Sequence, residues 1–325
     1  MRLARFIDVK KWVVLAVIVI LLITPMIVII VPPTDDFDIS NSGWNGLSRL
    51  VEEFNATIAD AKEAEKAPGN VILVVSPQIV DGLVERLRSA LGSGAMVLIL
   101  EDFDGEGFKV ARELGVRVET YPAPLLDPMF YYKDYFMPRV RLGNVTGYFN
   151  YGTAFSSYEG KCIGQSSPLS FIDMNLNGAP DPGEPSGEFC VAVEARVGRG
   201  RLVVLADSSI MINSMVDVNR NFIMALVGDG GLSLVSGLRF ESLQSRLRAG
   251  ALEFLGLAIK PPMVYVSALS SLLVAFLVSR FLAFLRAGGR EIDIVGFIVL
   301  RHPGWSVEKL KRLLRDLYGS GESEG

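Results

Sequence analysis

Between residues 70 and 119 the chain alternates two hydrophobic periods. Asn70 is followed by Val-Ile-Leu-Val-Val-Ser to Ser76, a continuous β-branched run of the kind buried on both faces of a sheet. Ile79, Val80, Leu83, Leu87 and Leu91 then recur at helical spacing, while Asp81, Glu85, Arg86 and Arg88 fill the opposite face. Gly92 and Gly94 stop that helix, and Met96–Leu100 forms a second buried run. A short helix over about 105–114 leads through Gly115 to a third strand at 116–119. Strand, helix, strand, helix, strand in that order predicts an α/β fold with a doubly wound parallel sheet and right-handed crossovers.

The rhythm breaks from Tyr121 to about Ser186, where aromatics, Gly and Pro dominate, and this stretch reads as an extended insertion. It resumes at 189–195 and at Arg201–Ala206, two runs that can form a hairpin turning at Val197-Gly-Arg-Gly200. Asp207, Ser208 and Asn213 follow the second run, and Asn219 opens a helix over 219–227. Loops after strand C-termini are the usual ligand position in open α/β sheets, so these four are candidate ligand contacts. Turn and cap duties are the competing reading for each of them.

Mean hydropathy is +0.36, high for a chain with 21% charged residues. Two apolar runs account for it. Residues 12–31 carry no charge and are long enough to span a bilayer core of about 30 Å. A second run covers 262–285, with Arg280 near its end. The basic flank Arg2, Arg5, Lys10 and Lys11 also suits a signal peptide, but Val31-Pro-Pro-Thr34 offers no small-x-small cleavage site. The expected organisation is a cytoplasmic N-terminus (1–11), a first transmembrane helix (12–31), an extracytoplasmic α/β domain (32–261) with an insertion at about 121–187, a second transmembrane helix (262–285) and a cytoplasmic tail (286–325). The placement of basic residues puts both termini in the cytoplasm and makes membrane lipid a partner. The tail carries an amphipathic helix after Ser306, with Val307, Leu310, Leu313, Leu314 and Leu317 on one side.

Residues 173–184 read DMNLNGAPDPGE. Asp173, Asn175 and Asn177 take positions 1, 3 and 5 of an EF-hand-type loop, with Gly178 at the sharp turn. Ala179 offers a carbonyl at position 7, Asp181 stands at 9 and Glu184 at 12. Calcium takes six to eight hard oxygens, and one segment with ligands at alternate positions can wrap it. The expected cofactor is therefore Ca²⁺ in a structural role; the plainer reading is an Asx-rich turn. Cys162 and Cys190 bracket this loop, and a bridge between them would close a ring worth about 3–4 kcal/mol. Asn55-Ala-Thr57 and Asn144-Val-Thr146 are glycosylation sequons.

Composition and motifs exclude several functions. A formal charge of −4 does not suit a nucleic-acid partner. The single His, His302, lies in the tail, so no His-dependent triad or zinc site can assemble in the α/β domain. No Gly-rich phosphate loop follows a strand.

The segments GKC…SPLSFIDMNLNGAPDPGEPSGEF and GRGRLVVLADSSIMINSMVDVNRNF, with the two-span layout, resemble archaeal membrane-anchored proteins of unknown function with a domain like that of class I glutamine amidotransferases (GATase-like). The resemblance covers most of residues 40–230 and implies a flavodoxin-like sheet. An amidotransferase needs a Cys nucleophile and a His, whereas this chain has Ser76-Pro77 and Glu101-Asp102 after its early strands. No catalytic residue is therefore assigned. The resemblance also implies partners, a MoxR-type ATPase and a von Willebrand factor A-like protein, and a role in assembling or maintaining a cell-surface complex. The functional expectation is a non-catalytic module that binds a protein or small ligand. The alternative is a calcium-dependent hydrolase using carboxylates or Ser near Asp207.

Overall fold

The computed structural model describes residues 31–258 except 68, 79, 80, 104 and 229, together with 304–318 and isolated helical positions at 23, 27, 30, 271, 274–276 and 278–280. The chain divides into two units, Val28–Ala249 and Met1–Ile27 with Gly250–Gly325.

The strands, in chain order, are β1 (Thr57–Asp60), β2 (Val71–Val75), β3 (Met96–Leu100), β4 (Val118–Thr120), β5 (Leu125–Leu126), β6 (Arg139–Leu142) and β7 (Val145–Tyr148). They continue with β8 (Phe155–Tyr158), β9 (Lys161–Gln165), β10 (Phe171–Ile172), β11 (Cys190–Val197), β12 (Gly200–Leu205) and β13 (Leu232–Ser236). The helices are α1 (Ser48–Glu53), α2 (Leu83–Ser93), α3 (Glu106–Glu113), α4 (Arg220–Val227), α5 (Leu243–Ala258) and α6 (Val307–Tyr318).

The main sheet runs β1-β13-β2-β3-β12-β11-β9-β6-β7. Its first five strands are parallel, and from β12 onward the pairings are antiparallel. Every residue of β2 and β3 is buried, as their unbroken apolar runs require. Helix α2 covers them with Leu83, Val84, Leu87, Ala90 and Leu91, and α3 adds Phe108, Val110 and Ala111. Each such aliphatic side chain contributes about 1.5–3 kcal/mol on burial. The β11–β12 hairpin turns where expected, with Val197 opposite Gly200.

Two local expectations are corrected. The third strand is β4, and it leaves the main sheet to pair antiparallel with β8. The insertion is not a loose excursion: β6, β7 and β9 extend the main sheet by three antiparallel strands.

The expected localisation is also corrected. Among the described residues no helix is long and apolar enough to cross a membrane, against a two-span protein with cytoplasmic termini and an extracytoplasmic domain. Helix α5 has 16 residues, about 24 Å of length against a core of about 30 Å, and it carries Arg246, Arg248 and Glu253. The two apolar runs, 12–31 and 262–285, fall largely outside the described residues, as does His302.

Candidate functional site

The carboxyl ends of β3 and β12 lie side by side, because those strands pair in parallel with Leu100 opposite Leu205. Acidic residues that follow each strand therefore meet. Asp102 accepts a hydrogen bond from the Ser208 backbone N–H at 2.8 Å and another from the Ser208 hydroxyl. Asp207 accepts from Asn150 N–H at 2.5 Å and from Ser209 N–H at 2.6 Å. Asp207 and Ser208 are 0% exposed. Gly152 is required here: a Cβ at that position would stand 2.7 Å from the Asp207 Cβ and 2.8 Å from the Ala206 carbonyl oxygen.

Glu101 completes the acidic group. Its carboxylate accepts from Gly107 N–H at 2.8 Å, at the start of α3, and from Asp102 N–H at 3.0 Å. Burial pushes the Glu101 and Asp102 carboxyls above their usual range. Burial and then the neighbouring Asp102 charge push Asp207 up further. Three non-glycine residues with left-handed backbone follow the strand ends or flank the acids: Ser76 at φ 37°, Phe103 at 49° and Tyr151 at 65°. Each costs on the order of 1–3 kcal/mol, so the surrounding packing must impose it.

The other two candidate ligand residues hold different segments. Asn213 donates to the carbonyls of Asn41 and Gly43 and accepts from Arg49 N–H at 2.8 Å. Asn219 grips β7, accepting from Tyr148 N–H at 2.7 Å and donating to the Tyr148 carbonyl at 2.9 Å. The structure thus joins Asp207 and Ser208 to Asp102, and it assigns Asn213 and Asn219 to loop fastening. Sequence reasoning missed Asn150 and Arg239. Asn150 contributes only its backbone N–H, which leaves no residue-type signal. The Arg239 guanidinium donates to the Ser76 carbonyl at 2.6 Å and lies 5.0 Å from the Phe37 ring.

The 173–184 loop closes on itself. Asp173, 0% exposed, accepts from Asn177 N–H at 3.1 Å and Gly178 N–H at 2.8 Å. Gly178 has φ 77°, as the sharp turn demands. Glu184 reaches back to Met174 N–H at 2.8 Å and to Asp181 N–H at 3.1 Å. Both Asn175 and Asn177 donate to Asp181, and Ala179 N–H binds the Asn177 side-chain oxygen. Among the described residues no three acidic, His or Cys side chains stand together as a metal group. For a cation to enter, the two Asn amides must turn their oxygens inward and Asp181 must release them. Cys162 and Cys190 form a disulfide that ties β9 to β11.

Residues 36–227 match DUF4350, a domain of unknown function. The chain belongs to the DUF4350 family. No curated protein matches it. Among solved structures, the DUF4350 chain is similar to the mmIFT52 N-terminal domain at 16% identity and a TM-score of 0.37, covering 49% of this chain and 75% of that one. It is also similar to the exo-β-1,4-mannosidase Op5Man5 from Opitutaceae bacterium strain TAV5, at 13% identity and a TM-score of 0.27. A polyextremophilic β-galactosidase from the Antarctic haloarchaeon Halorubrum lacusprofundi scores the same identity and TM-score. The alignments cover 48% and 49% of this chain and only 23% and 22% of the two glycosidases.

Proposed function

We propose that this DUF4350 chain is a non-catalytic binding domain that takes a protein or small-ligand partner. The observation that carries this reading is the burial of Asp207 and Ser208 at 0% exposure, with the polar atoms of both engaged by Asp102, Asn150 and Ser209. A nucleophile or general base must touch its substrate. These side chains fasten loops.

The parallel run β1-β13-β2-β3-β12 supports a GATase-like, flavodoxin-like ancestry for the sheet. Both cysteines are bound in the disulfide, so neither serves as an amidotransferase nucleophile. A calcium ion in loop 173–184, held by Asp173, Asn175, Asn177, the Ala179 carbonyl, Asp181 and Glu184, would lock the insertion alongside that disulfide. The ligand spacing and the left-handed Gly178 support it. By resemblance, a MoxR-type ATPase and a von Willebrand factor A-like protein are the partners to try first, in the assembly or maintenance of a shared complex.

The hydroxyl of Ser208 on the Asp102 carboxylate favours one second reading, a carboxylate-assisted hydrolase. Hydrolysis of p-nitrophenyl acetate, with and without calcium, separates the two. The binding reading expects wild type and Ser208→Ala to give the same background rate. A rate that vanishes with Ser208→Ala establishes the hydrolase.

A further inference from the structure

A cavity of about 540 Å³ opens at the carboxyl ends of β1, β2 and β13, between segments 34–39 and 234–241. That size suits a small organic ligand, and strand C-termini are where open α/β sheets bind one. Its charges are arranged unusually. Asp35, Asp36, Asp38, Asp60 and Glu241 line it together with one cation, Arg239. Among the described residues none of these six makes an ion pair within 4.0 Å.

The half-buried Arg239 has five N–H donors, and among the described residues its one hydrogen bond goes to the neutral Ser76 carbonyl. Its remaining donors can hold a planar anion such as a carboxylate, the group that a guanidinium fork matches. Asp35, Asp38 and Asp60 are fixed by Ser242 and Ser245, by Ser40, and by Lys62 N–H, all uncharged donors. None of the three is in direct ion-pair contact with a cation, although Arg239 lies close enough to act on Asp35 electrostatically. Leu234, Leu238 and Phe37 supply apolar wall to the same cavity.

We propose that this cavity binds a basic amino acid. The ligand's carboxylate pairs with Arg239, its ammonium groups take the surrounding carboxylates, and its aliphatic stem lies on the apolar wall. Five carboxylates against one guanidinium favour a ligand of net positive charge that still carries one carboxylate. The proposal rests on the binding-domain reading and names a ligand class and a site for it.

The test is titration calorimetry of the full chain with L-lysine, with cadaverine (lysine without the carboxylate) and with hexanoate (the stem and carboxylate alone). Lysine should bind, and each truncated probe should bind at least about tenfold more weakly, the worth of a charge-assisted hydrogen bond. Arg239→Gln should abolish the preference of lysine over cadaverine. Glu241→Gln, at an exposed side chain with no hydrogen bond or ion pair among the described residues, should weaken lysine a few-fold without affecting the fold. Equal binding of cadaverine and lysine overturns the proposal in favour of a plain cation site. Absence of lysine binding overturns it outright. Lysine binding untouched by Arg239→Gln also overturns it, while leaving the binding-domain reading intact. Consumption of lysine by wild type but not by Arg239→Gln, followed by proton NMR, upholds the site and overturns the non-catalytic reading.

Discussion

Asp102 and Ser208, 106 residues apart, are joined twice: the Asp102 carboxylate takes both the backbone N–H and the hydroxyl of Ser208. The pairing ties the loop after β3 to the loop after β12. It also brings the Asp102 charge close enough to Asp207 to raise its proton affinity. This pair of bonds therefore sets both the shape and the electrostatics at this end of the sheet.

The stability contributed by Glu101, Asp102 and Asp207 should fall as pH rises above about 4. Glu101, Asp102 and Asp207 all have folded-state proton affinities above those of an unfolded carboxyl near 4. Between the unfolded and folded values the native state holds more protons than the unfolded one, so raising the pH costs stability. Below about 4 their contribution is complete. Asp102→Asn keeps an acceptor for Ser208 N–H and removes one of the charges. It should flatten the fall above about pH 4. Urea unfolding at several pH values measures this, and an unchanged slope in the variant would refute the coupling.

Asn213→Ala should destabilise the domain by about 3 kcal/mol. The side chain is 4% exposed and serves Arg49 N–H and two carbonyls, and each buried group left without a partner costs about 1–3 kcal/mol. Asn213→Asp should not rescue it, because an acceptor would then face the carbonyls of Asn41 and Gly43. Chemical denaturation reads both variants. A loss below about 0.5 kcal/mol for Asn213→Ala would show that the fastening of residues 41–49 does not depend on this side chain.

Opening the Cys162–Cys190 disulfide should cost about 3–4 kcal/mol, the chain-entropy value for a sequence separation of 28. The double variant Cys162→Ala with Cys190→Ala should lower the melting temperature by several degrees. Hydrogen exchange should then speed up first in β9 and β11. Uniform acceleration across the sheet would argue that the bridge restrains only the unfolded chain.

Legibility from sequence followed burial. The wholly buried β2 and β3 and the one-faced α2 announced themselves by period. The edge strand β1, with one buried residue in four, and the short β13 after Gly230-Gly231 gave no comparable signal. β4 was recognisable as a strand, but its partner was not, because pairing with β8 is decided some forty residues away. Asp207 and Ser208 were legible from their position after a strand. Their fastening role was not, since it depends on Asp102 and on the backbone of Asn150. Arg239 carries no local signal at all, and only the cavity beside it gives it meaning.

The most direct measurement is a thermal melt of the full chain, non-reduced, in calcium and in EGTA. Closing Asp173, Asn175, Asn177, the Ala179 carbonyl, Asp181 and Glu184 on an ion should raise the melting temperature with calcium concentration, because an ion bound only by the native state adds its binding free energy to folding. The rise should disappear in Asp173→Ala with Glu184→Ala. Identical melts of the wild type in calcium and in EGTA would contradict a metal-locked insertion and leave residues 173–184 as a turn held by its own asparagines.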